Sequence, residues 1–468
     1  MPNPFAGPSY TLALRKADIQ RSVNMYLVGM EAPGKAPFVL DSVPGYSLFS
    51  NLGAVIRGRQ FTNDRAFFVA GSILYELTST GVMTSRGTLS TATGYVEMEY
   101  GVTQLVLVDG ANGYVLTLAT NVFSKITSSG FYGSNRVEFL DNYFLFLRPG
   151  TGQFYISAIN NASSEDPLAF ATAESAPDNL VAILAVQRRL LLFGQYTIEI
   201  WFNSGNVDFP FQREGTTIEV GCIAAHSART VDNTAFWIGQ DKNGSGVVYR
   251  LQGYQAMRIS TQAIEQAIQA SSDLSSAVCY AYQENGLTFY AINAPGLTST
   301  WVYEVASGAW HERCDLDSMG RFKADRGVCH MAAFGYHLIG GSDGVVYKLD
   351  RSVYTKNGNP LVRERTSPHS SVPSLKYQFF DHFFLDCTTG EAPQAVDPVV
   401  TLSWSGDSGA TWRGNRQKST GKVGERFARI PWKAGLGRSR DRVWKVRFSD
   451  NAPFAILNAD IGATEGSS

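Results

Sequence analysis

The chain has 468 residues, of which 44% are hydrophobic and 17% charged, and its formal net charge is −1. This balance is typical of a globular core and argues against a disordered chain or one that is basic throughout. The 45 glycines and 12% aromatic residues favour many short strands joined by turns. A chain of this length usually holds two or three domains, although a propeller can be one large unit.

The sequence has no charged segment followed by an apolar one at its start, and no apolar run of about 18 residues. We therefore expect a protein that folds in the cytosol and does not insert into a membrane by itself. The five cysteines are scattered without Cys-x-x-Cys spacing, which predicts reduced and mostly buried thiols. They are Cys222, Cys279, Cys314, Cys329 and Cys387.

The first 45 residues contain six prolines, which disfavour long helices and keep the chain extended. A short strand over residues 23–28 can pair with a neighbour. We predict that residues 1–45 form an extended arm that docks on the C-terminal domain or on a neighbouring subunit.

A pair of strands recurs along residues 46–350: an apolar run, a Gly or Asp turn, then a strand carrying Tyr or Trp. Seven such pairs start 38 to 51 residues apart, at residues 67, 105, 144, 190, 236, 287 and 337. An isolated hairpin of this kind cannot bury both of its faces, whereas radial stacking lets each sheet cover the next. The pattern predicts an all-β fold with a β-propeller over residues 46–350, of seven blades or alternatively six.

One segment within the repeats allows two interpretations, and another predicts a helix. Residues 180–193 have the length of a helix, but strand-like flanks and the following Gly194 favour two strands that turn at Gln187 and Arg188. The one helix we predict spans residues 262–270, with Ser260 or Thr261 as N-cap.

The sequence changes character after residue 350. Residues 351–375 contain polar turn-forming sequence and are predicted to be a linker. Residues 376–468, roughly a hundred in number, suit a C-terminal β-sandwich-like domain. We expect the tail, residues 462–468, to be frayed.

Residues 404–412 read Trp-Ser-Gly-Asp-Ser-Gly-Ala-Thr-Trp. Ser405 and Asp407 can accept hydrogen bonds from the N–H groups of a tight turn, and Gly409 can adopt a positive φ. Trp412 can cover the turn from one face. The stretch predicts a β-hairpin in which these four residues have a structural role, with partner strands over residues 427–430 and 443–448.

The C-terminal domain is locally basic, with twelve Lys or Arg against two acids over residues 412–449. Two interpretations of Arg438, Arg440 and Arg442 stay open. They can meet the phosphates of DNA, which requires cations and no reading of base sequence. Alternatively, they belong to a solvated face or to a salt-bridged contact between subunits.

The sequence offers little support for catalysis. Residues 29–35 approach a phosphate loop, but Ala36 supplies no hydroxyl for Mg²⁺ and Pro37 opposes the helix that would follow. The six histidines lack metal-ligand spacing. We therefore expect no catalytic residue, no metal and no cofactor. A glycosidase is the enzyme class that is hardest to exclude; its candidate carboxylates, by position alone, are Asp241, Glu304, Asp315 and Asp317.

Three groups of motifs occur in a fixed order along the chain. The first comprises Val-Asn-Met-Tyr at residues 23–26, Pro44-Gly45 and Arg57-Gly58; the second lies at residues 201–211, 236–239 and 258–265; the third lies at residues 404–412, 435–443 and 449–453. Together they resemble the tail hub, or nozzle, proteins of short-tailed bacteriophages, which are also called packaged-DNA stabilisation proteins.

The resemblance implies a structural protein of the virion tail, assembled in the host cytoplasm, and no enzyme. It implies a ring of identical subunits, six in number, below the portal and its adaptor (head-completion) protein. Such a ring would continue the DNA exit channel, retain packaged DNA through non-specific contact, and anchor tail fibre, spike or needle proteins. The alternative function is a tail-associated propeller that binds or cleaves glycans; a cytosolic propeller scaffold is a third.

Overall fold

The computed structural model describes residues 5–32, 34–371, 376–393 and 396–466. The parts of the predicted arm, linker and C-terminal domain that fall on the other positions lie outside the described residues. Regular structure is almost entirely β-strand, which confirms the all-β prediction. None of the described helices is long and apolar enough to span a bilayer.

Five strands precede the first blade: β1 (Tyr10–Thr11), β2 (Ile19–Val23), β3 (Met25–Gly29), β4 (Phe38–Ser42) and β5 (Gly45–Asn51). The predicted strand over residues 23–28 is therefore divided between β2 and β3.

Blades 1 to 3 are four-stranded antiparallel sheets in chain order. Their strands are β6 (Ile56–Thr62), β7 (Arg65–Ala70), β8 (Ile73–Leu77) and β9 (Met83–Thr88); β10 (Glu97–Tyr100), β11 (Gln104–Val108), β12 (Gly113–Thr117) and β13 (Val122–Lys125); β14 (Val137–Leu140), β15 (Tyr143–Leu147), β16 (Gln153–Ile156) and β17 (Phe170–Thr172).

Blades 4 and 5 follow the same plan, and in blade 5 two short strands pair with one neighbour. The strands are β18 (Leu180–Val186), β19 (Arg189–Gly194), β20 (Ile198–Asn203) and β21 (Phe211–Ile218); β22 (Gly221–Cys222), β23 (Arg229–Val231), β24 (Thr234–Asp241), β25 (Gly244–Gln252) and β26 (Gln255–Arg258). The turn between β18 and β19 lies at Gln187 and Arg188, as the two-strand interpretation predicts.

Helix α1 (Gln262–Gln269) lies between blades 5 and 6, and 3₁₀ helices occupy Ala225–Ser227 and Leu274–Ser276. Thr261 is the N-cap of α1 by position, but its side chain makes no capping hydrogen bond. Ser260 instead donates to the Glu265 carboxylate at 2.7 Å. The helix is thus predicted correctly to within one residue, while the capping contact differs from expectation.

The strands of blades 6 and 7 are β27 (Val278–Glu284), β28 (Leu287–Asn293), β29 (Thr300–Glu304), β30 (Ala309–Leu316) and the short β31 (Phe322–Ala324); β32 (Gly327–Ala333), β33 (Tyr336–Gly341) and β34 (Val345–Asp350).

The remaining strands are β35 (Thr355–Lys356), β36 (Asn359–Pro360), β37 (Arg363–Thr366), β38 (Ser370–Ser371), β39 (Gln378–Cys387), β40 (Val399–Ser405), β41 (Arg413–Ser419), β42 (Ile430–Trp432), β43 (Arg438–Ser439), β44 (Asp441–Phe448) and β45 (Ile456–Glu465). Because β45 extends to Glu465, the expected fraying is wrong for residues 462–465; residues 467 and 468 lie outside the described part of the chain.

The innermost strands of the seven sheets contact one another in a closed cycle, β6, β10, β14, β18, β23, β27, β32 and back to β6. An apolar cluster fills the space between each pair of neighbouring blades. The structure is therefore a seven-bladed propeller, and the seven predicted strand pairs are the middle two strands of each blade. Strand β5 supplies the fourth strand of blade 7, beyond which β35 and β36 extend the sheet, so that the two ends of the propeller close on each other by hydrogen bonds.

The sixth blade does not end at its fourth strand. Strand β2 pairs in parallel with β30 at Val23 and Glu312, and on its other side pairs antiparallel with β37. The sheet continues through β44, β40 and β41 into the C-terminal domain. One twelve-stranded sheet thus belongs to both the propeller and the sandwich, and the arm lies in its middle.

The second sheet of the sandwich has the order β3-β4-β45-β39-β42, with β43 also paired to β39. It packs on the first through an apolar core that includes Phe5, Met25 and Leu40 of the arm. Residues 351–375, predicted as a linker, contain β37, which is hydrogen-bonded between β2 and β44. That part of the segment is therefore internal to a sheet.

Asn24 divides the arm between the two sheets. Its φ of 54° ends β2 and redirects the chain into β3. Its side-chain amide donates to the carbonyls of Cys314 and Val362 at 3.0 and 2.8 Å, and its oxygen accepts from the Cys314 N–H at 3.0 Å. One buried residue therefore connects the arm, blade 6 and the start of the sandwich.

The axis of the propeller is crossed by ion-paired side chains. Glu97 on β10 accepts from Arg136 at 2.8 Å and from Arg229 at 2.9 Å, and His226 lies 3.1 Å away. Arg136 also contacts Glu138 at 3.0 Å. These groups come from blades 2, 3 and 5, so the network joins innermost strands across the centre.

Two carboxyl groups beside this network, Glu99 and Glu138, have raised pKa values. Burial, followed by the charge of Glu138, raises the pKa of Glu99 to about 8. Burial likewise raises the pKa of Glu138 to about 7, against the opposing effect of Arg136.

The position of Asn24 predicts that its removal weakens the whole molecule. Asn24→Ala removes the side-chain partner of the Val362 carbonyl and of the Cys314 N–H, leaves the Cys314 carbonyl with the Lys356 ammonium at 2.9 Å, and forces alanine into a positive φ, so we expect a loss of about 2–4 kcal/mol in the free energy of unfolding. Asn63→Ala is the matched control, because Asn63 is exposed at φ 49° and no side-chain hydrogen bond is found for it among the described residues. Chemical denaturation measures both; equal losses would contradict this role for Asn24.

The raised pKa values predict a decline in stability with rising pH. A folded-state pKa above the unfolded value stabilises the protein fully below about pH 4, and this contribution disappears as the pH rises to about 8. We expect Glu99→Gln to reduce the fall in melting temperature between pH 5 and 8. The exposed Glu174→Gln should leave the fall unchanged. Identical pH profiles for wild type and Glu99→Gln would refute the assignment.

Candidate functional site: the basic face of the sandwich

The turn between β40 and β41 is held by its own side chains. Ser405 Oγ accepts from the Gly409 N–H at 2.9 Å and donates to Asp407 at 2.6 Å. Asp407 accepts from the N–H and hydroxyl of Thr411 at 2.8 and 2.5 Å. Hydrogen bonds from Ser405, then Thr411, lower the pKa of Asp407 to about 2.

The other two residues of the turn face neighbouring elements. Gly409 has φ +80°, and an added Cβ would lie 2.9 Å from Ile19 of the arm, so a side chain has neither the conformation nor the room. The ring of Trp412 carries the Lys445 ammonium 3.8 Å above its centroid. The turn thus lies against β2 and β44.

The partner strands differ in part from the prediction. Residues 443–448 lie in β44 and pair with β40, but the second strand of the hairpin is β41. Residues 427–430 do not pair with this hairpin; Ile430 begins β42, which pairs with β39 in the opposite sheet. The expectation for residues 427–430 is therefore wrong, because the chain crosses between sheets after β41.

The structure separates the three arginines that the sequence grouped. Arg438 and Arg440 are exposed and both lie over the ring of Tyr377, at 4.6 and 4.7 Å. Arg442 is only 3% exposed, donates to the Leu436 carbonyl and lies 4.2 Å from the centroid of Phe380. Burial lowers its pKa to about 10. Arg442 is therefore not available for a surface contact, and its inclusion in that group requires correction.

Other exposed cations lie on the same domain, and we call the whole set the basic face. Its members are Arg413, Arg416, Lys418, Arg429, Lys433, Arg438 and Arg440. A groove of about 570 Å³ runs between β41 and residues 431–434. Arg416 donates to the Ala434 carbonyl and so joins the two sides. Among the described residues no carboxylate lies within 4.0 Å of any of the seven, so their charge is balanced by solvent or by a partner.

Two further arginines were missed by reasoning from the sequence. Arg365 is fully buried and donates to the carbonyls of Phe5 and Pro8 at 2.7 and 2.8 Å, and burial lowers its pKa to about 9. Arg363 donates to the carbonyls of Ala452 and Asp450 at 2.7 and 2.8 Å. Their spacing of two places both on one face of a strand, but the sequence does not reveal that this face is covered.

The four carboxylates considered for glycan cleavage are engaged locally. Asp315 pairs with Arg326 at 2.6 Å, and Asp317 with Arg321 at 2.9 Å. Glu304 and Asp241 each accept two backbone N–H groups of the turn that follows them. No cluster of three metal-ligating side chains is found in the described part of the chain. All five cysteines are buried and free.

Two protein-family models match the chain. One, described as "Bacteriophage P22 Gp10, beta-propeller", matches residues 19–354, and the other, described as "Bacteriophage P22 Gp10, beta-sandwich", matches residues 373–464. The first match begins at β2 and so includes the arm strand that extends blade 6. No curated protein sequence matches the chain.

Solved structures resemble the chain at low identity. The computationally designed Ika8 protein is 12% identical, with a TM-score of 0.38, over 65% of this chain and 99% of its own. Virginiamycin B lyase from Staphylococcus aureus is 9% identical, with a TM-score of 0.45, over 64% and 97%. The N-terminal domain of Nup159 is 9% identical, with a TM-score of 0.42, over 70% and 98%. Likenesses at this level carry no argument about function.

The family matches cover most of the chain and follow the order of propeller and sandwich seen in the structure. They confirm the resemblance found in the sequence motifs. The chain belongs to the bacteriophage P22 Gp10 family, structural proteins of the phage tail that stabilise packaged DNA.

Proposed function

We propose that this chain is the subunit of a tail hub, a ring of six copies below the portal and its adaptor protein. The ring would continue the DNA exit channel and keep packaged DNA inside until release. The observation that carries the proposal is the basic face, with seven exposed cations that lack a carboxylate partner among the described residues. Such a surface suits phosphates or an acidic neighbour.

The DNA path in this proposal runs between copies of the chain. The propeller axis is filled by the network of Glu97, Arg136 and Arg229, so a duplex has no route through a single propeller. A closed ring that repeats one head-to-tail interface generates a separate, wider channel on its own symmetry axis. Retention of DNA in such a channel depends on its width and charge and requires no catalysis.

Arg438 and Arg440 are our proposed contact with DNA or with a neighbouring subunit. Both guanidinium groups are exposed on β43 and the residues that follow it, and stacking on Tyr377 restricts their motion. Non-specific retention needs cations that meet phosphates without reading bases. The adaptor protein, and tail fibre, spike or needle proteins, are the further partners that we propose for the propeller loops and the sandwich.

We do not extend the proposal to glycan cleavage. Asp315 and Asp317 are paired with arginines, and Glu304 and Asp241 serve their own turns. An inverting or retaining glycosidase needs two carboxyl groups that face one bond with a defined separation, and no observation favours such a pair here.

The ring is tested by electron microscopy and native mass spectrometry of the purified chain, alone and with a portal–adaptor complex. We expect closed six-membered rings, at least in the presence of the complex, since a repeated interface gains stability on closure. A chain that stays monomeric in both preparations would contradict the hub.

The basic contact is tested by reversing charge in the phage. Arg438→Glu with Arg440→Glu should leave the melting temperature nearly unchanged, because both side chains are exposed, but should lower the yield of DNA-filled particles several-fold. Lys125→Glu with Lys242→Glu is the matched control, since both lysines are exposed on the propeller. Normal yields of filled particles from the arginine double variant would remove this contact from the proposal.

A further inference from the structure

A cavity of about 680 Å³ lies where the arm, the propeller and the sandwich meet. Its walls come from residues 11–21 of the arm, helix α1, the loop at residues 296–301, and the turn at residues 408–412. The floor is the polar face of the twelve-stranded sheet. This volume is within the range of small-molecule sites, roughly 300–1,000 Å³. Nothing in the proposed hub function uses the cavity.

The floor of the cavity carries a carboxylate that lies in the field of Arg21 and Lys445 but has no hydrogen-bond partner among the described residues. Glu364 on β37 is 5% exposed and lines the cavity, yet it makes no hydrogen bond and no ion pair within the described residues. A buried carboxylate in this state has unused capacity to accept hydrogen bonds. It is the kind of group that a ligand completes.

A donor with similar unused capacity lies on the adjacent strand. Lys445 on β44 also lines the cavity, and its ammonium lies over the ring of Trp412 with no carboxylate within 4.0 Å in the described chain. Lys445 is directly opposite Thr366 across the pair of strands, and Glu364 is two residues from Thr366. The carboxylate, the hydroxyl and the ammonium therefore lie side by side on one face of the sheet.

Three cations, Arg15, Arg21 and Lys445, and two carboxylates, Glu312 and Glu364, line the cavity, and Arg15 is exposed. Arg21 and Glu312 already pair with each other at 2.5 Å, which leaves Glu364 and Lys445 as one acceptor and one donor of opposite charge on the floor. A ligand with a net charge would satisfy one of them and repel the other. A neutral ligand with adjacent hydroxyl groups satisfies both, because each hydroxyl donates and accepts.

The walls provide an apolar counterpart to this polar floor. Trp301, Trp412, Ile19 and alanines of α1 line the cavity. Aromatic and aliphatic walls with a few convergent polar groups suit a ring that is apolar on its faces and polar on its edge. A pyranose sugar has this form.

We propose that the cavity is a binding site for a neutral saccharide. Glu364 accepts from one hydroxyl of the sugar, Lys445 donates to the neighbouring one, and the aromatic and aliphatic walls contact the ring. The site binds and does not cleave. Sugar binding at this site does not require ring formation. It can therefore be measured on the isolated chain, and its result does not depend on whether the hub proposal holds.

The test uses glucose, galactose, mannose, maltose and lactose as probes of the purified full chain, by calorimetry and saturation-transfer NMR. We expect saturable binding of at least one, together with a change in tryptophan fluorescence. Glu364→Gln and, separately, Lys445→Met should each weaken binding at least tenfold. The exposed pair Glu174→Gln and Lys125→Met supplies matched controls that should bind as wild type does.

A cavity variant is taken as folded when its melting temperature lies within a few degrees of that of the wild type. One folded cavity variant is enough for the comparison of binding. Absence of saturable binding for all five sugars would overturn the proposal. So would binding that both cavity variants retain in full. Tighter binding of butylammonium or butyrate than of any sugar would also overturn it, because the proposed ligand is neutral.

Discussion

The structure depends on the insertion of β2 between β30 and β37. This single strand has hydrogen-bonded neighbours from the propeller on one side and from the sandwich on the other. Backbone hydrogen bonds in a sheet fix the distance and direction of neighbouring strands relative to each other. The two domains are therefore held as one body and are not joined by a flexible linker. The closing strand β5, from the same part of the chain, completes blade 7. The first fifty residues thus connect the propeller to the sandwich and close the propeller.

Polar side chains of the arm and of its neighbours hold this insertion in place. Asn24 bonds to both domains, Arg365 binds arm carbonyls, and Arg21 pairs with Glu312. Burying a guanidinium is costly unless its N–H groups find acceptors. The acceptors of Arg365 are carbonyls of the arm, and the acceptor of Arg21 is Glu312 of blade 6, so these contacts favour one register of the arm. A structural part of a tail benefits from such uniqueness, since a ring repeats any error in each subunit.

The propeller could be predicted because its signal is local. Each blade repeats an apolar strand, a turn and an aromatic strand, and the seven pairs found in the sequence are the middle strands of the seven blades. The arm could not be predicted in the same way. Residues 23–28 look like one strand, and only the contacts of Asn24 with Cys314 and Val362, hundreds of residues away, explain why the strand is divided.

The candidate site was predictable in its charge but not in its geometry. The count of cations over residues 412–449 points to a basic domain, and Arg438 and Arg440 are exposed there. Arg442 is two residues from Arg440 and looks equivalent in the sequence, yet it is buried against Phe380. Nothing in the sequence indicates that Glu364 lines a cavity, because it lies between two arginines in a segment that looks like a polar linker.

The central claim is that propeller and sandwich form one rigid body through β2. Hydrogen–deuterium exchange followed by mass spectrometry on the purified chain tests it most directly, because exchange reports local opening. The account predicts that amides of β2 and β37 exchange as slowly as those of β28 in the centre of blade 6. Exchange of β2 at the rate of an exposed loop, while β28 and β44 stay protected, would contradict it.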